Sequence, residues 1–230
     1  MTRITMISDT HNKHNALKGL LPGGDILVHS GDISSMGYEH EIKSFCKWFN
    51  NIDSYSLKIF IAGNHDWGFQ DNYNKSIEIV KSYENIIYLQ DDLHLIGDNY
   101  STAIKVWGSP WQPMFCNWAF NAQRGEDIKQ HWDKIPMNTD ILITHGPSFG
   151  ILDKVIGIND NLGCEELAKR IEIVKPKLHI FGHIHSGYGY NFDGQTHHFN
   201  TSILNEKYEY EYKPMTIDWN PDNNEIKFIG

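Results

Sequence analysis

Ile4-Thr5-Met6-Ile7-Ser8-Asp9-Thr10-His11 is the stretch on which the fold turns. A short, mostly apolar run bounded by polar residues reads as a buried strand. This one ends in a carboxylate and an imidazole. The pattern recurs four times. Ile26 to Val28 leads to Gly31-Asp32, and Ile59 to Ala62 leads to Gly63-Asn64-His65-Asp66. Ile141 to Ile143 leads to Thr144-His145-Gly146, and Leu178 to Phe181 leads to Gly182-His183-Ile184-His185. Strands that each finish in a metal-ligating side chain predict a metal centre at the carboxyl-terminal edge of a sheet, where sites in open α/β sheets assemble.

Between these runs the first half alternates strand and helix patterns. Ile42, Phe45, Phe49 and Ile52 recur at helical spacing beside Trp48, and Ile77, Ile79 and Val80 mark a weaker helix. Ile86 to Leu89 reads as a strand, and Leu93 to Ile96 and Ala103 to Trp107 as a hairpin around Gly97-Asp98-Asn99. A helix is expected near 121–133. Another is expected over 160–175, where Cys164, Leu167, Ala168, Ile171 and Val174 form a stripe that Pro176 ends. Asp193-Gly194 predicts a tight hairpin, and residues 215–219 and 225–229 predict a last one. Residues 108–121 carry two prolines and four aromatics and read as irregular, chiefly buried packing, with a pocket wall as the alternative. The whole predicts an α/β layered fold with mixed sheets. No linker or repeat interrupts it, so residues 1–230 read as a single domain.

Bulk properties narrow the function. A net charge of −9 with only 20 Lys and Arg disfavours broad binding to nucleic-acid backbone. Cys46, Cys116 and Cys164 are far apart and form no Cys-x-x-Cys pair, which disfavours a thiolate zinc site and a disulfide framework. There is no signal-peptide pattern and no apolar run near the ~20 residues of a membrane span. A cytoplasmic protein, monomer or homodimer, is expected.

Asp9 and His11, two apart at a strand end, point the same way, and His183 and His185 repeat the device. Asp9, His11, Asp32, Asn64, His145, His183 and His185 are too many ligands for one four-coordinate ion and suit two. Asp32 is the expected bridge, because a carboxylate has two oxygens with free lone pairs. The oxygen and imidazole donor set suits manganese, iron, zinc, cobalt or nickel alike; two divalent ions are expected, manganese foremost, with magnesium also in view. Two ions ~3.5–4 Å apart can share a hydroxide that attacks phosphorus. His65, beside a ligand, is the candidate general acid.

Asp-x-His, Gly-Asp, Gly-Asn-His, a lone His and Gly-His-x-His, in this order, resemble the calcineurin-like metallophosphoesterase superfamily. Gly108-Ser109-Pro110-Trp111, Trp118-Ala119-Phe120-Asn121, Arg124-Gly125, Thr139-Asp140-Ile141-Leu142, Gly163-Cys164 and Gly187-Tyr188-Gly189 look like its metallophosphoesterase-domain (MPPED) subfamily. That subfamily is similar in turn to bacterial class III cyclic-nucleotide phosphodiesterases. The resemblance implies a four-layer α/β/β/α sandwich of two mixed β-sheets flanked by helices, and phosphodiester hydrolysis. It implies Asp9, His11, Asp32 and His185 on a first metal, and Asp32, Asn64, His145 and His183 on a second, with His65 beside the leaving group. Some animal members lack the first His of Gly-His-x-His; His183 fills it here. Gly31-Asp32-Ile33-Ser34-Ser35 lacks the Asp and Arg of phosphoprotein phosphatases. This disfavours protein phosphatase activity and leaves open what orients His65. Asp66 stands where many members have Glu.

The expected substrate is a small phosphodiester or nucleotide, with cyclic nucleotides (2′,3′ or 3′,5′) first. A nuclease, a phosphomonoesterase and a weakly active nucleotide-binding regulator are the alternatives. His14, Trp111, Asn117, Arg124 and Asn200 are candidate substrate contacts. His29, His179, His197 and His198 are expected to be structural, and His40, His94 and His131 solvated.

Overall fold

The computed structural model describes residues 1–229. The strands β1 (Thr2–Ile7), β2 (Gly24–His29), β3 (Tyr55–Phe60) and β4 (Ile87–Tyr88) run parallel, with helices α1 (Glu39–Asn50), α2 (Trp67–Asp71) and α3 (Tyr73–Lys81) in the crossovers. Next come the antiparallel pair β5 (Asp92–Ile96) and β6 (Ile104–Ser109), and two short paired strands, β7 (Gln112–Pro113) and β8 (Asn121–Ala122). Helix α4 (Glu126–Trp132), β9 (Ile141–Thr144), α5 (Glu165–Val174) and β10 (Leu178–Phe181) follow. The chain ends on the hairpins β11 (Gly189–Phe192) with β12 (His197–Asn200), and β13 (Met215–Trp219) with β14 (Ile226–Phe228).

Among the described residues these strands form two six-stranded mixed sheets, ordered β14-β13-β1-β2-β3-β4 and β11-β12-β10-β9-β6-β5. Strand alternation sorts their side chains into layers. Ile4 and Met6 of β1, Ile26 and Val28 of β2, Val106 of β6, Ile141 and Ile143 of β9, and Leu178 and Ile180 of β10 pack between the sheets. The alternate residues, such as Leu27 and Phe60, turn outward to meet Phe45, Phe49 and Ile79 of the first helices. Trp107 and Leu142 meet Ile128 of α4 and Leu167 of α5 on the other side. The result is the expected four-layer α/β/β/α sandwich.

Two expected helices start later than the patterning predicts. The one expected near 121–133 begins at Glu126, because Asn121–Ala122 pairs with Gln112–Pro113 as strand. The one expected over 160–175 begins at Glu165, where the Cys164 sulfur caps it by accepting from Leu167 N–H at 3.4 Å. His131, expected to be solvated, is half-buried, with its ring stacked 3.9 Å from Trp111 and its Nδ1 3.1 Å from Asp91.

Candidate metal centre

All five strand-end loops open on one edge of the sandwich. The chain turns there more sharply than L residues prefer: Asp9 (φ 54°), His11 (φ 40°), Asp32 (φ 55°) and His183 (φ 69°) are left-handed. Such strain persists only where surrounding structure over-determines it, and it clusters at functional sites. Gly31 at φ 103° leaves no room for a side chain, since a Cβ there would sit 2.5 Å from His145 Nδ1. A Cβ on Gly63 would strike Asp32 Oδ1, and one on Gly182 would strike Asp9 Oδ2.

The seven candidate ligands converge. Asp9, His11 and His185 each bring one ligand atom within 4.8 Å of the others, as do Asp9, Asp32 and His145. Asp32 Oδ2 lies 3.5 Å from His11 Nε2 and 3.4 Å from His145 Nε2, between the two halves of the cluster. Asn64 Oδ1 lies 2.9 Å from His145 Nε2 and 2.8 Å from His183 Nδ1. Backbone carbonyls set the tautomers: His145 Nδ1–H donates to Ser30 O at 3.0 Å, and His185 Nδ1–H donates to Asn205 O at 2.9 Å. Each ring thus turns Nε2 into the cluster, the arrangement that metal-binding imidazoles require. The Asp9 carboxylate is steadied by Ser202 Oγ at 2.6 Å and by His183 N–H at 3.1 Å.

Electrostatics fit a cation. Burial pushes the pKa of His11 down to about 4, against the pull of Asp32 and Asp9. Its Nε2 is buried with no hydrogen-bond partner, 3.5 Å from Asp32 Oδ2. Burial, helped by His145, takes His183 down to about 3. Burial also works against charge on His145 and His185, but Asp32 holds the first up at about 9 and Asp9 does the same for the second. Both carboxylates stay well below their usual range despite burial, Asp32 through His145 and Asp9 through His185. Two buried carboxylates among imidazoles, one with an unmatched nitrogen, are a donor set that divalent ions fit.

His65 stands at the rim. Its Nδ1–H donates to Ser35 O at 2.8 Å, its ring stacks 4.0 Å from Trp118, and its edge meets His11 at 4.5 Å. Asp66, next along, ties the second and third loops together. Its carboxylate accepts from Gly63 N–H (2.8 Å), Ile33 N–H (3.1 Å) and Ser34 N–H (3.0 Å). Tyr208, for which no sequence pattern existed, lays its ring 4.8 Å from His11 and 5.3 Å from His185. It is left-handed (φ 59°), and the Lys13 ammonium donates to its carbonyl.

The candidate substrate contacts fare differently. His14 is buried against Trp48 (5.1 Å) and Phe45 (5.9 Å), outside the cavity that fronts the cluster. Trp111 packs between Phe120 and His131, and Asn117 is exposed beyond the cavity lining. Asn200 is fully buried, and its Nδ2 donates to Ile184 O at 2.8 Å, bracing the Gly182–His185 loop from behind. Arg124 alone lines the cavity, but its guanidinium is taken by Leu162 O (2.8 Å), Gly163 O (2.8 Å) and Glu165 (2.5 Å). These five were legible as polar or aromatic residues near motifs; where each side chain points depends on contacts far away in sequence.

A doubled mixed sheet carrying an Asp, Asn and His cluster at its carboxyl-terminal edge defines a metal-dependent phosphoesterase. Residues 2–187 match the calcineurin-like phosphoesterase family, and the chain belongs to it. Metallophosphoesterase domain-containing protein 1 of Homo sapiens is 38% identical over 233 residues, spanning 94% of this chain and 71% of that protein. The Mus musculus protein of the same name matches to the same extent. The crystal structure of phosphopantetheinyl hydrolase (PptH) from Mycobacterium tuberculosis shares the fold at TM-score 0.62 and 12% identity, over 89% of this chain and 90% of that one. Family membership implies divalent metal ions. Among the described residues no helix is long and apolar enough to cross a membrane.

Proposed function

We propose that this chain hydrolyses small phosphodiesters, with cyclic nucleotides as the leading class and manganese as the leading metal. Asp9, His11, Asp32 and His185 would hold one ion, and Asp32, Asn64, His145 and His183 the other. The observation that carries the proposal is the placement of His65 beside this cluster with its Nδ1 committed to Ser35 O. Bound there, paired ions supply an ionised water and offset charge on the phosphoryl oxygens. With Nδ1–H fixed on a carbonyl, the second proton of the imidazolium sits on Nε2, from which His65 can give it to a departing oxygen. This is general acid catalysis by a positioned imidazole. Trp118 and His11 keep the ring from turning.

A monoester dianion is disfavoured, because the only arginine on the cavity wall among the described residues is held by other partners. A nuclease groove is disfavoured by the acidic balance of −9. Both sheets supply ligands to one cluster, which supports residues 1–230 as a single domain. Buried free thiols at Cys46 and Cys164 and an exposed one at Cys116 support a reducing, cytoplasmic setting.

The test is a panel of 2′,3′- and 3′,5′-cyclic nucleotides, linear dinucleotides and monoesters, assayed against several divalent cations. Turnover of cyclic diesters with manganese is expected. Binding without turnover would favour a regulator, and preference for monoesters would overturn the diester assignment.

A further inference from the structure

A cavity of about 390 Å³ fronts the cluster, a size suited to a small organic ligand. Its walls are unlike one another. On the His65 side the aromatic neighbours are Trp118, His11 and Tyr208. On the His183 side the aromatic residue of the lining is Phe115, edge-on at 6.1 Å, while His145 at 5.0 Å lies behind the wall. Phe115 is 53% exposed, beside Met114 at 51%, and Ile158 on the same lining is 45% exposed. Large apolar side chains left in water at the mouth of a reactive site mark a surface that binds apolar ligand area.

Phe115 is exposed but held. Asn121 Oδ1 accepts its N–H at 3.3 Å, and Asn121 Nδ2 donates to its carbonyl at 3.1 Å and to Cys116 O at 3.2 Å. A ring on a fixed backbone loses little freedom when a ligand packs on it. Charge points the same way. Arg124 is the cationic side chain of this lining among the described residues; three acceptors hold it, and Glu206 adds negative charge. A second anionic group on the substrate finds no compensating cation there.

The geometry points to a substrate class: a singly charged phosphodiester whose retained arm carries a flat aromatic group seated on Phe115, with the leaving oxygen on the His65 side. This rests on the phosphodiester assignment above. Water gives its hydroxyl to phosphorus, the bond to the leaving oxygen breaks, that oxygen takes the proton, and the aromatic arm stays on the monoester product. Phe115 is thus the residue that sets specificity for the retained arm.

Three substrates with one leaving group separate these points: 4-nitrophenyl methyl phosphate, 4-nitrophenyl benzyl phosphate and the monoester 4-nitrophenyl phosphate, assayed on the manganese-loaded protein. The benzyl ester is expected to show a KM roughly tenfold below the methyl ester with little change in kcat, as one aromatic contact provides. The monoester is expected to be the poorest. Phe115→Ala should bring the two diester KM values within about threefold of each other. Phe115→Tyr should restore the ratio, and Tyr100→Ala, on an exposed turn away from the cavity, should keep it. Equal KM values in the native protein, or a ratio untouched by Phe115→Ala and Phe115→Leu, would overturn the proposal while the diester assignment stands. No turnover of either diester by folded, metal-loaded protein would end both.

Discussion

Ser35 contributes one carbonyl oxygen to the site, and that atom decides which nitrogen of His65 faces the cavity. The phosphoprotein phosphatases orient the corresponding histidine with an Asp that this sequence lacks; here the backbone does the work. A carbonyl fixes the tautomer without adding a negative charge beside the ring. His65→Ala is therefore expected to keep its metal, seen by elemental analysis, and to lose roughly 10²–10⁴-fold in turnover of diesters with alkoxide leaving groups. The loss with 4-nitrophenolate, which leaves without a proton, should be much smaller. Full activity of His65→Ala on an alkyl diester would remove the acid assignment. Asp32 lies between the two halves of the cluster. Asp32→Ala should release at least one ion per chain by the same measurement, and an unchanged metal count would refute its bridging role.

At the scale of elements, the strands were legible and the loops behind the site were not. Apolar alternation and terminal Gly, Asp and His residues are local signals, so β1, β2, β3, β9 and β10 and the clustered Asp, Asn and His residues that follow them could be read directly. Tyr208 carried no such signal. Its position depends on the loop around Asn205, whose side-chain oxygen accepts from Lys207 N–H and Glu209 N–H at 2.9 Å each and whose carbonyl takes His185 Nδ1–H. The aromatic stretch 108–121 serves both readings that the sequence left open, since Phe120 is buried and Phe115 faces the cavity. A contact between neighbouring elements holds α1 to its sheet. Lys58, on β3 and almost fully buried, donates its ammonium to Asn50 O (2.9 Å) and Ile52 O (3.0 Å) at the carboxyl-terminal end of the helix. A cation there meets both unpaired carbonyls and the negative end of the helix dipole. Lys58→Met is expected to lower stability by about 1.5–3 kcal/mol in urea unfolding, and an unchanged midpoint would show that water caps the helix equally well.

Over the whole molecule, buried neutral histidines make stability depend on pH. Burial depresses His29 to about 3 and His14 to about 4, and takes His179 well below its usual value. In each case the unfolded chain binds a proton that the folded chain refuses. Their stabilisation is present above the unfolded pKa of about 6.5 and is lost as pH falls toward the folded value. For His29 the loss between pH 6.5 and 5.0 is about 1.6 kcal/mol. His29→Gln, which can keep the contact with Thr10 Oγ1, should flatten the fall in unfolding free energy over that interval by about this amount. An identical slope in both proteins would show that His29 is protonated in the fold.

The pairing of β1 with β13 places Thr2 opposite Trp219 and Met6 opposite Met215. The opening strand therefore shares its hydrogen bonds with a segment made some two hundred residues later. During synthesis its outer edge must wait, exposed, until that partner leaves the ribosome. An unpaired, apolar edge of this kind recruits other chains, so the interval before closure is when a nascent copy is most open to association.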